Sequence, residues 1–180
     1  MSVAQPTATS ETVKIERDSR RVCFVCTGNT CRSPMAAAVA NAMAWGRLSK
    51  LPDSIRALTS PELEAFSAGI FANEGEPIAE NAVKALESAN ISPIEGMDYH
   101  HHTSHTLTEQ DAESFDLLIG LTREHAMALM IRFPHLASRI TVFPTDISDP
   151  YGGSPEIYAR CLEQITEGVA ALLFEGEAIK

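Results

Sequence analysis

The sequence predicts a doubly wound α/β fold, in which a single domain has a four-stranded parallel sheet with helices on both faces. Short apolar runs alternate with helical patterns along the chain, an order typical of parallel sheets. The chain has 180 residues, of which 44% are hydrophobic and 21% charged, enough for one core. A tight polar loop follows the first apolar run, where open α/β sheets bind their ligands.

The elements follow from the pattern in order. Strands are predicted at residues 21–25, 63–67, 116–121 and 140–143, and helices at 33–45, 77–89, 123–132 and 155–174, with another helix starting after Thr108. Thr108 and Thr122 are expected to cap their helices, because a threonine hydroxyl accepts hydrogen bonds from first-turn N–H groups. Residues 46–61 are predicted as an irregular insertion, 92–106 as a histidine-containing loop and 144–154 as a second loop.

The net charge and the lack of long apolar runs limit the classes of partner that suit this sequence. The net charge is −10 and the pI about 5.0, which argues against nucleic acid or an anionic membrane as a partner. No apolar run is long enough for a membrane span, which takes about 18 residues. Residues 1–20 lack the apolar stretch of a signal peptide and are predicted as a disordered tail. We therefore expect a cytoplasmic protein whose folded domain covers residues 21–180.

The loop after the first strand carries the strongest chemical signal. Cys26 and Arg32 bracket five residues and Ser33 follows. Gly28 and Asn29 can both take positive φ, which lets the loop curl and turn its N–H groups inward. The helix that follows directs its positive end at the loop, and Arg32 can grip two oxygens of a phosphate. A cysteine in this field should ionise readily and act as a nucleophile.

Residues 26–33 resemble the phosphate loop of the low-molecular-weight protein-tyrosine phosphatase family, and the resemblance extends from about Arg21 into the 170s. The resemblance implies that Cys26 forms a phosphocysteine and that Arg32 stabilises the transition state. The expected phosphate-binding residues are Thr27, Gly28, Asn29, Thr30, Cys31 and Ser33. Thr30 resembles the protein-arginine phosphatase branch, because tyrosine-specific members usually carry an aliphatic residue there.

The dipeptide of Asp149 and Pro150 matches the position of the family's general acid, in the loop before the last helix. Attack on a phosphate ester or phosphoramidate requires a proton donor for the leaving group, which favours Asp149, with Asp146 as the alternative. By the same resemblance Tyr151 should line the pocket wall. Gly152 replaces a second aromatic residue common in tyrosine-specific members, which again resembles the arginine branch.

Ser67 and His102 match residues that support the phosphate loop in the family. They are expected to form a hydrogen-bond network with Asn29 and Ser33, because a non-glycine residue in a left-handed conformation needs such support.

The four cysteines, at positions 23, 26, 31 and 161, leave other interpretations open. A zinc site with later histidines or a thioredoxin-like pair of Cys23 and Cys26 is possible by spacing. Both are disfavoured because Cys23 lies within an apolar strand. A reversible disulfide between Cys26 and Cys31, which share the loop, would protect Cys26 from over-oxidation.

The sequence thus predicts a phosphoprotein phosphatase that needs no metal or cofactor. Phosphoarginine is favoured as the substrate, with phosphotyrosine as the alternative. Arsenate reductase is a remote alternative, because it needs a relay of further cysteines, and none lies between Arg32 and Arg160, with Cys161 in the last helix. A non-catalytic phosphate-binding module is disfavoured by the presence of Cys26, Arg32 and Asp149 together. The expected partners are phosphorylated proteins and the expected state is a monomer.

Overall fold

The computed structural model describes residues 19–48, 61–94 and 96–175. It contains a four-stranded parallel sheet in the order β2-β1-β3-β4. The strands are β1 (Arg20–Cys26), β2 (Leu63–Gly69), β3 (Leu117–Gly120) and β4 (Ile140–Val142). The predicted parallel sheet is confirmed. Of the predicted tail, residues 1–18 lie outside the described residues, and β1 already begins at Arg20.

Helices cover both faces of the sheet, as predicted. They are α1 (Arg32–Leu48), α2 (Glu80–Ser88), α3 (Glu109–Glu113), α4 (Arg123–Arg132) and α5 (Pro155–Val169). Side chains of β1 alternate between two cores. Val22 and Phe24 pack with α1, α2 and α5, whereas Cys23 and Val25 pack with α3 and α4. Residues 22–26 of β1 are buried on both faces of the sheet, which agrees with their continuously apolar sequence.

The predicted caps are present. The Thr108 hydroxyl accepts from the Asp111 N–H and the Thr122 hydroxyl from the His125 N–H. Helix α1 begins at Arg32, earlier than predicted, so that Pro34 lies within its first turn. The last helix ends at Val169 instead of continuing to residue 174, and a π-helical segment, Ala170–Glu175, follows.

Two short 3₁₀ helices, Tyr99–His101 and Pro134–Arg139, were not predicted. Their sequences are too short to show a period. Residues 49–60 of the predicted insertion lie outside the described residues. None of the helices that the structure describes is both long enough and apolar enough to span a membrane.

The topology places one end of β1 at a switch point. The connection that leaves β1 runs to β2 on one side, whereas the connection that leaves its other neighbour, β3, runs to β4 on the opposite side. Ligands of open α/β sheets bind at the crevice that such a divergence creates beyond the carboxyl ends of the strands. Cys26 is the last residue of β1 and lies opposite Gly69, the last residue of β2.

Candidate active site

The loop after β1 is held against the segment after β2 by its backbone. The carbonyls of Cys26 and Thr27 accept from the N–H groups of Ile70 (2.9 Å) and Phe71 (3.0 Å). This approach requires glycine at position 69, because an added Cβ would lie 2.7 Å from the Thr27 carbonyl oxygen. The end of β2 therefore fixes the start of the loop.

Asn29 is the strained residue of the loop, with φ at +58° and no solvent exposure. Its Nδ2 donates to the hydroxyls of Ser33 and Ser67, each at 3.0 Å, and its Oδ1 accepts from the His105 N–H at 3.1 Å. Its backbone carbonyl accepts from Nε2 of His102 at 2.7 Å. These contacts oppose a left-handed strain of about 1–2 kcal/mol.

The structure therefore brings together the predicted support residues Ser67 and His102 with Asn29. Ser33 joins them through Asn29, and His102 contacts the Asn29 backbone rather than Ser33. Gly28 differs from the prediction because its φ is not positive; Asn29 alone takes the left-handed conformation within the loop. A Cβ at Gly28 would meet only the Thr30 hydroxyl, at 4.0 Å, so its small size leaves room beside the loop.

Ser33 is poised to hydrogen-bond the sulfur of Cys26. The Ser33 Oγ lies 3.0 Å from Cys26 Sγ and 3.3 Å from the Ala68 carbonyl, which it also contacts as a donor. The hydroxyl has one hydrogen for these two acceptors. A thiolate is the stronger acceptor because it carries a full charge, so ionisation of Cys26 would draw the hydrogen to sulfur.

Arg32 joins the loop to the segment that contains Asp149. Its guanidinium donates to the Ile147 carbonyl at 3.1 Å and to a carboxylate oxygen of Asp149 at 2.9 Å. Arg32 is buried, whereas the Asp149 side chain is half exposed and also accepts from the Tyr151 N–H at 3.2 Å. Asp146, the alternative acid, instead accepts from the Arg123 N–H at the start of α4, at 3.0 Å.

A cavity of about 230 Å³ adjoins the loop. Its predicted lining residues are Cys26, Thr27, Gly28, Thr30, Cys31, Arg32, Asp149 and Tyr151. Asn29 and Ser33, which were also predicted to bind the phosphate, do not line the cavity and are fully buried beneath the loop. Asp146 is absent from its wall. The cavity therefore assembles two loops that are more than a hundred positions apart in the sequence.

Three residues of the cavity wall were missed in the sequence: Phe71, Asn73 and Glu76. Asn73 donates to the Glu76 carboxylate at 3.0 Å, and the Glu76 N–H donates to the buried Ser104 hydroxyl at 3.0 Å. The signal available was their position just after Gly69, at the same edge as Cys26. A larger cavity of about 660 Å³ is lined in part by Ser67, His102 and His105, but neither Cys26 nor Arg32 reaches it.

The remaining cysteines are buried thiols. Burial raises the pKa of Cys23, of Cys31 and, to about 12, of Cys161. Cys31 Sγ lies 3.2 Å from the Tyr158 hydroxyl. Cys23 belongs to the core on the opposite sheet face from Cys26. A zinc site or a redox pair that uses both residues is therefore incompatible with the strand.

The histidines of the loop at residues 92–106 make different contacts. His100 and His101 contact the Asp98 carboxylate at 2.8 and 3.1 Å, while His102 supports Asn29. Among the described residues, the Cys, His and acidic side chains close enough to share an ion are the exposed Glu109, Glu113 and His135, which do not line the cavity.

His125 is a further residue near the loop that the sequence analysis did not select. It lies in the first turn of α4 and is 7% exposed. Its Nε2 is 3.0 Å from the Thr27 hydroxyl. The only local signal was its place three residues after the capping Thr122.

The fold and the loop define a class of protein: a doubly wound α/β domain that presents a cysteine and a buried arginine at a cavity beyond its first strand. The family model described as low molecular weight phosphotyrosine protein phosphatase matches residues 21–180. A protein-arginine-phosphatase from Bacillus subtilis (strain 168) is 33% identical over 153 residues, 81% of this chain and 89% of the relative.

Solved structures agree with the family match. A low molecular weight protein tyrosine phosphatase from T. tengcongensis is 34% identical, with a TM-score of 0.72, covering 87% of this chain and 99% of that one. A YwlE arginine phosphatase mutant with a phosphorylated active-site serine is 27% identical, with a TM-score of 0.72, covering 89% and 97%. This chain belongs to the low molecular weight phosphotyrosine protein phosphatase family, and it is a hydrolase of the protein phosphatase class.

Proposed function

We propose that this enzyme hydrolyses phosphoarginine in proteins through a phosphocysteine intermediate at Cys26. The supporting geometry is the loop itself. Cys26 Sγ lies at the cavity beside the buried guanidinium of Arg32, with the Ser33 hydroxyl 3.0 Å from the sulfur. The phosphorylated active-site serine of the YwlE mutant is consistent with a covalent intermediate at the equivalent side chain.

In the first step the Cys26 thiolate attacks phosphorus, an S–P bond forms and the P–N bond breaks. Protonated Asp149 transfers its proton to the departing guanidine nitrogen. Arg32 and the loop N–H groups from Thr27 onwards bind the phosphoryl oxygens and stabilise the charge of the transition state. The Arg32–Asp149 contact of 2.9 Å keeps the acid and the anion-binding group together on one side of the cavity.

In the second step water attacks the phosphocysteine, the S–P bond breaks and phosphate leaves. Asp149, now a carboxylate, takes a proton from the water. The Ser33 hydroxyl donates to the sulfur as it regains negative charge. Two steps therefore restore Cys26 and Asp149 to their starting forms.

The observation that carries the choice of phosphoarginine is the polar wall of the cavity. Thr30 contributes a hydroxyl and Glu76 contributes a carboxylate. A guanidinium offers N–H donors and positive charge, which suit this wall; an aromatic ring offers neither. Phosphotyrosine remains the alternative, because Phe71 and Tyr151 also line the cavity and could flank a ring.

Arsenate reduction is less compatible with the site. It requires an accessible second thiolate to receive the disulfide, whereas burial raises the pKa of Cys161 to about 12. A reduced nucleophilic cysteine fits a cytoplasmic enzyme, and all four cysteines are free thiols. The partners would be phosphorylated proteins, met by a monomer.

The test is turnover of matched peptides that differ only in carrying phosphoarginine or phosphotyrosine. A higher kcat/KM for the phosphoarginine peptide is expected. A preference for the phosphotyrosine peptide would instead identify the enzyme as a phosphotyrosine phosphatase. No hydrolysis of either, or full activity in Cys26→Ser, would reject the cysteine mechanism.

A further inference from the structure

His125 is a buried histidine that touches the phosphate loop without lining the cavity. Both ring nitrogens have partners. Nε2 lies 3.0 Å from the Thr27 hydroxyl, and Nδ1 lies 3.1 Å from the Thr122 hydroxyl. The imidazole therefore bridges the residue after Cys26 to the residue that caps α4.

The Thr122 hydroxyl determines which nitrogen carries the proton. The Glu124 carboxylate lies near its own backbone N–H and the Thr122 hydroxyl, and both groups lower the pKa of Glu124. When the single hydrogen of Thr122 is directed at this carboxylate, the Thr122 oxygen accepts from Nδ1–H of His125, 3.1 Å away. Nε2 is then the acceptor, and Thr27 donates to it.

The neutral form of His125 is favoured at physiological pH. Burial, together with the nearby charge of Arg32, lowers the pKa of His125 to about 4. The carboxylates of Glu124, Asp149 and Asp146 act in the opposite direction but do not outweigh these effects. Nε2 thus remains an acceptor for the Thr27 hydroxyl.

The corner between β3 and α4, residues 121–125, contacts both loops of the site. The Leu121 N–H donates to the Val25 carbonyl at 3.0 Å, next to Cys26. On the other side, the Leu121 carbonyl accepts from the Ile147 N–H at 3.1 Å, and the Arg123 N–H donates to Asp146 at 3.0 Å. The corner therefore contacts both the strand end that precedes the Cys26 loop and the loop that contains Asp149, and it fixes their relative position.

Through Thr27, His125 adds a side-chain contact between this corner and the Cys26 loop. Thr27 is exposed at the cavity, its carbonyl accepts from the Phe71 N–H at 3.0 Å, and its hydroxyl lies 3.0 Å from Nε2 of His125. The residue is thus held from the β2 side and from the α4 side. Without the second contact, the first turn of the loop would be held from one side only.

We propose that His125 is a positioning residue of the phosphatase reaction, which fixes Thr27 and hence Cys26 relative to the Asp149 loop by accepting the Thr27 hydroxyl hydrogen. The inference rests on the proposed chemistry at Cys26 but not on the choice between phosphoarginine and phosphotyrosine. It can therefore be tested with a generic aryl phosphate, hydrolysed by the full-length enzyme.

The first experiment compares His125→Ala, Thr27→Val and the double variant. One net hydrogen bond is worth about 0.5–1.5 kcal/mol, so each single variant should lose about two- to twelvefold in kcat, with a smaller change in KM. The double variant should be no slower than the slower single variant, because both changes remove the same contact. Rates are expressed per folded enzyme, so that loss of stability does not count as loss of kcat.

A conservative variant separates the acceptor from the bulk of the ring. His125→Gln places an amide oxygen near the position of Nε2 and should recover a substantial part of the kcat lost in His125→Ala. If His125→Gln is as slow as His125→Ala, the acceptor is not what positions the loop, and the proposal is overturned.

Two capping threonines provide a matched control. Thr122→Val removes a helix cap and also the partner of Nδ1, whereas Thr108→Val removes the cap of α3 alone. Both should lose stability, but only Thr122→Val should lose kcat. Equal effects of the two variants on kcat would indicate a general structural cause.

The outcomes distinguish this inference from the proposed function. A wild-type enzyme without aryl phosphatase activity, or an active Cys26→Ser variant, would reject the chemistry at Cys26. An active wild type and an inactive Cys26→Ser, together with unchanged kcat in His125→Ala and Thr27→Val, would reject only the positioning role. Additive losses in the double variant would also reject it.

Discussion

Replacing Thr30 with isoleucine tests which leaving group the cavity accepts. Thr30 is half-buried on the cavity wall, and its hydroxyl lies 3.7 Å from Cys31 Sγ. Both residues are β-branched, so the backbone preference changes little. The substitution exchanges a hydroxyl for an ethyl group, and it should shift the preference from phosphoarginine towards phosphotyrosine.

The magnitude follows from burial and area. An unpaired N–H of the substrate costs about 1–3 kcal/mol when buried, and the half-exposed position favours the lower end, about tenfold on phosphoarginine. The added apolar surface faces a cavity that Phe71 and Tyr151 also line, and one more buried methylene is worth about 0.8 kcal/mol for an aromatic ring. The second effect corresponds to about fourfold, so the ratio of the two efficiencies should change by about 40-fold.

The assay measures kcat/KM of both proteins for the matched phosphoarginine and phosphotyrosine peptides. An aryl phosphate with a good leaving group serves as the control, because its turnover should depend little on the hydroxyl. If the ratio for the two peptides is the same in both proteins, Thr30 does not select the substrate. The proposed arginine specificity would then rest on the acidic wall alone.

Four other predictions address the acid, the acidic wall, oxidation and pH. Asp149→Asn should slow turnover of substrates with poor leaving groups by about 10²–10⁴-fold, while Asp146→Asn should not; the reverse pattern in a leaving-group series would identify Asp146 as the acid. Glu76→Gln should lower kcat/KM for phosphoarginine about two- to fivefold, as expected for an exposed ion pair. The control is Glu163→Gln, an exposed carboxylate away from the cavity, and equal effects would exclude a role for Glu76. Mild peroxide should inactivate the enzyme reversibly through a Cys26–Cys31 disulfide, and peptide mapping that finds Cys23 or Cys161 as the partner would contradict this. Because the pKa of His125 is lowered to about 4 in the fold, the unfolded chain binds its proton first. The resulting stability is therefore present above about pH 6.5 and lost as pH falls through 4. After solvent screening this amounts to about 1–2 kcal/mol, and urea unfolding of His125→Gln should show a flatter pH profile than wild type.

The fold was predictable because its signals are local. The apolar run of β1 indicates a strand buried on both faces, and the hydroxyls of Thr108 and Thr122 mark helix starts that the structure contains. Where the signal is weak, the prediction failed. The short 3₁₀ helix Pro134–Arg139 has no period to read, and α5 ends earlier than its continuous apolar pattern suggests.

The site was predictable only where residues are close in sequence or match a known motif. Cys26, Arg32 and Ser33 share one loop, and Asp149 was selected through its family position. Glu76 enters the cavity because Ser104, from a distant loop, binds its backbone, and no local pattern encodes that contact. His125 was missed for the same reason, since its partner Thr27 is 98 positions away.

The contacts of Asn29 restrict which residues can replace it during evolution. Glycine at this position would relieve the left-handed strain but would delete the contacts to Ser33, Ser67 and the His105 N–H. Aspartate would keep the acceptor but would compete with the Cys26 thiolate for the Ser33 hydrogen and repel its charge. A substitution of Asn29 that preserves the loop must therefore be accompanied by changes at several of its partners. Position 29 should be among the slowest to vary, although its side chain does not line the cavity beside Cys26.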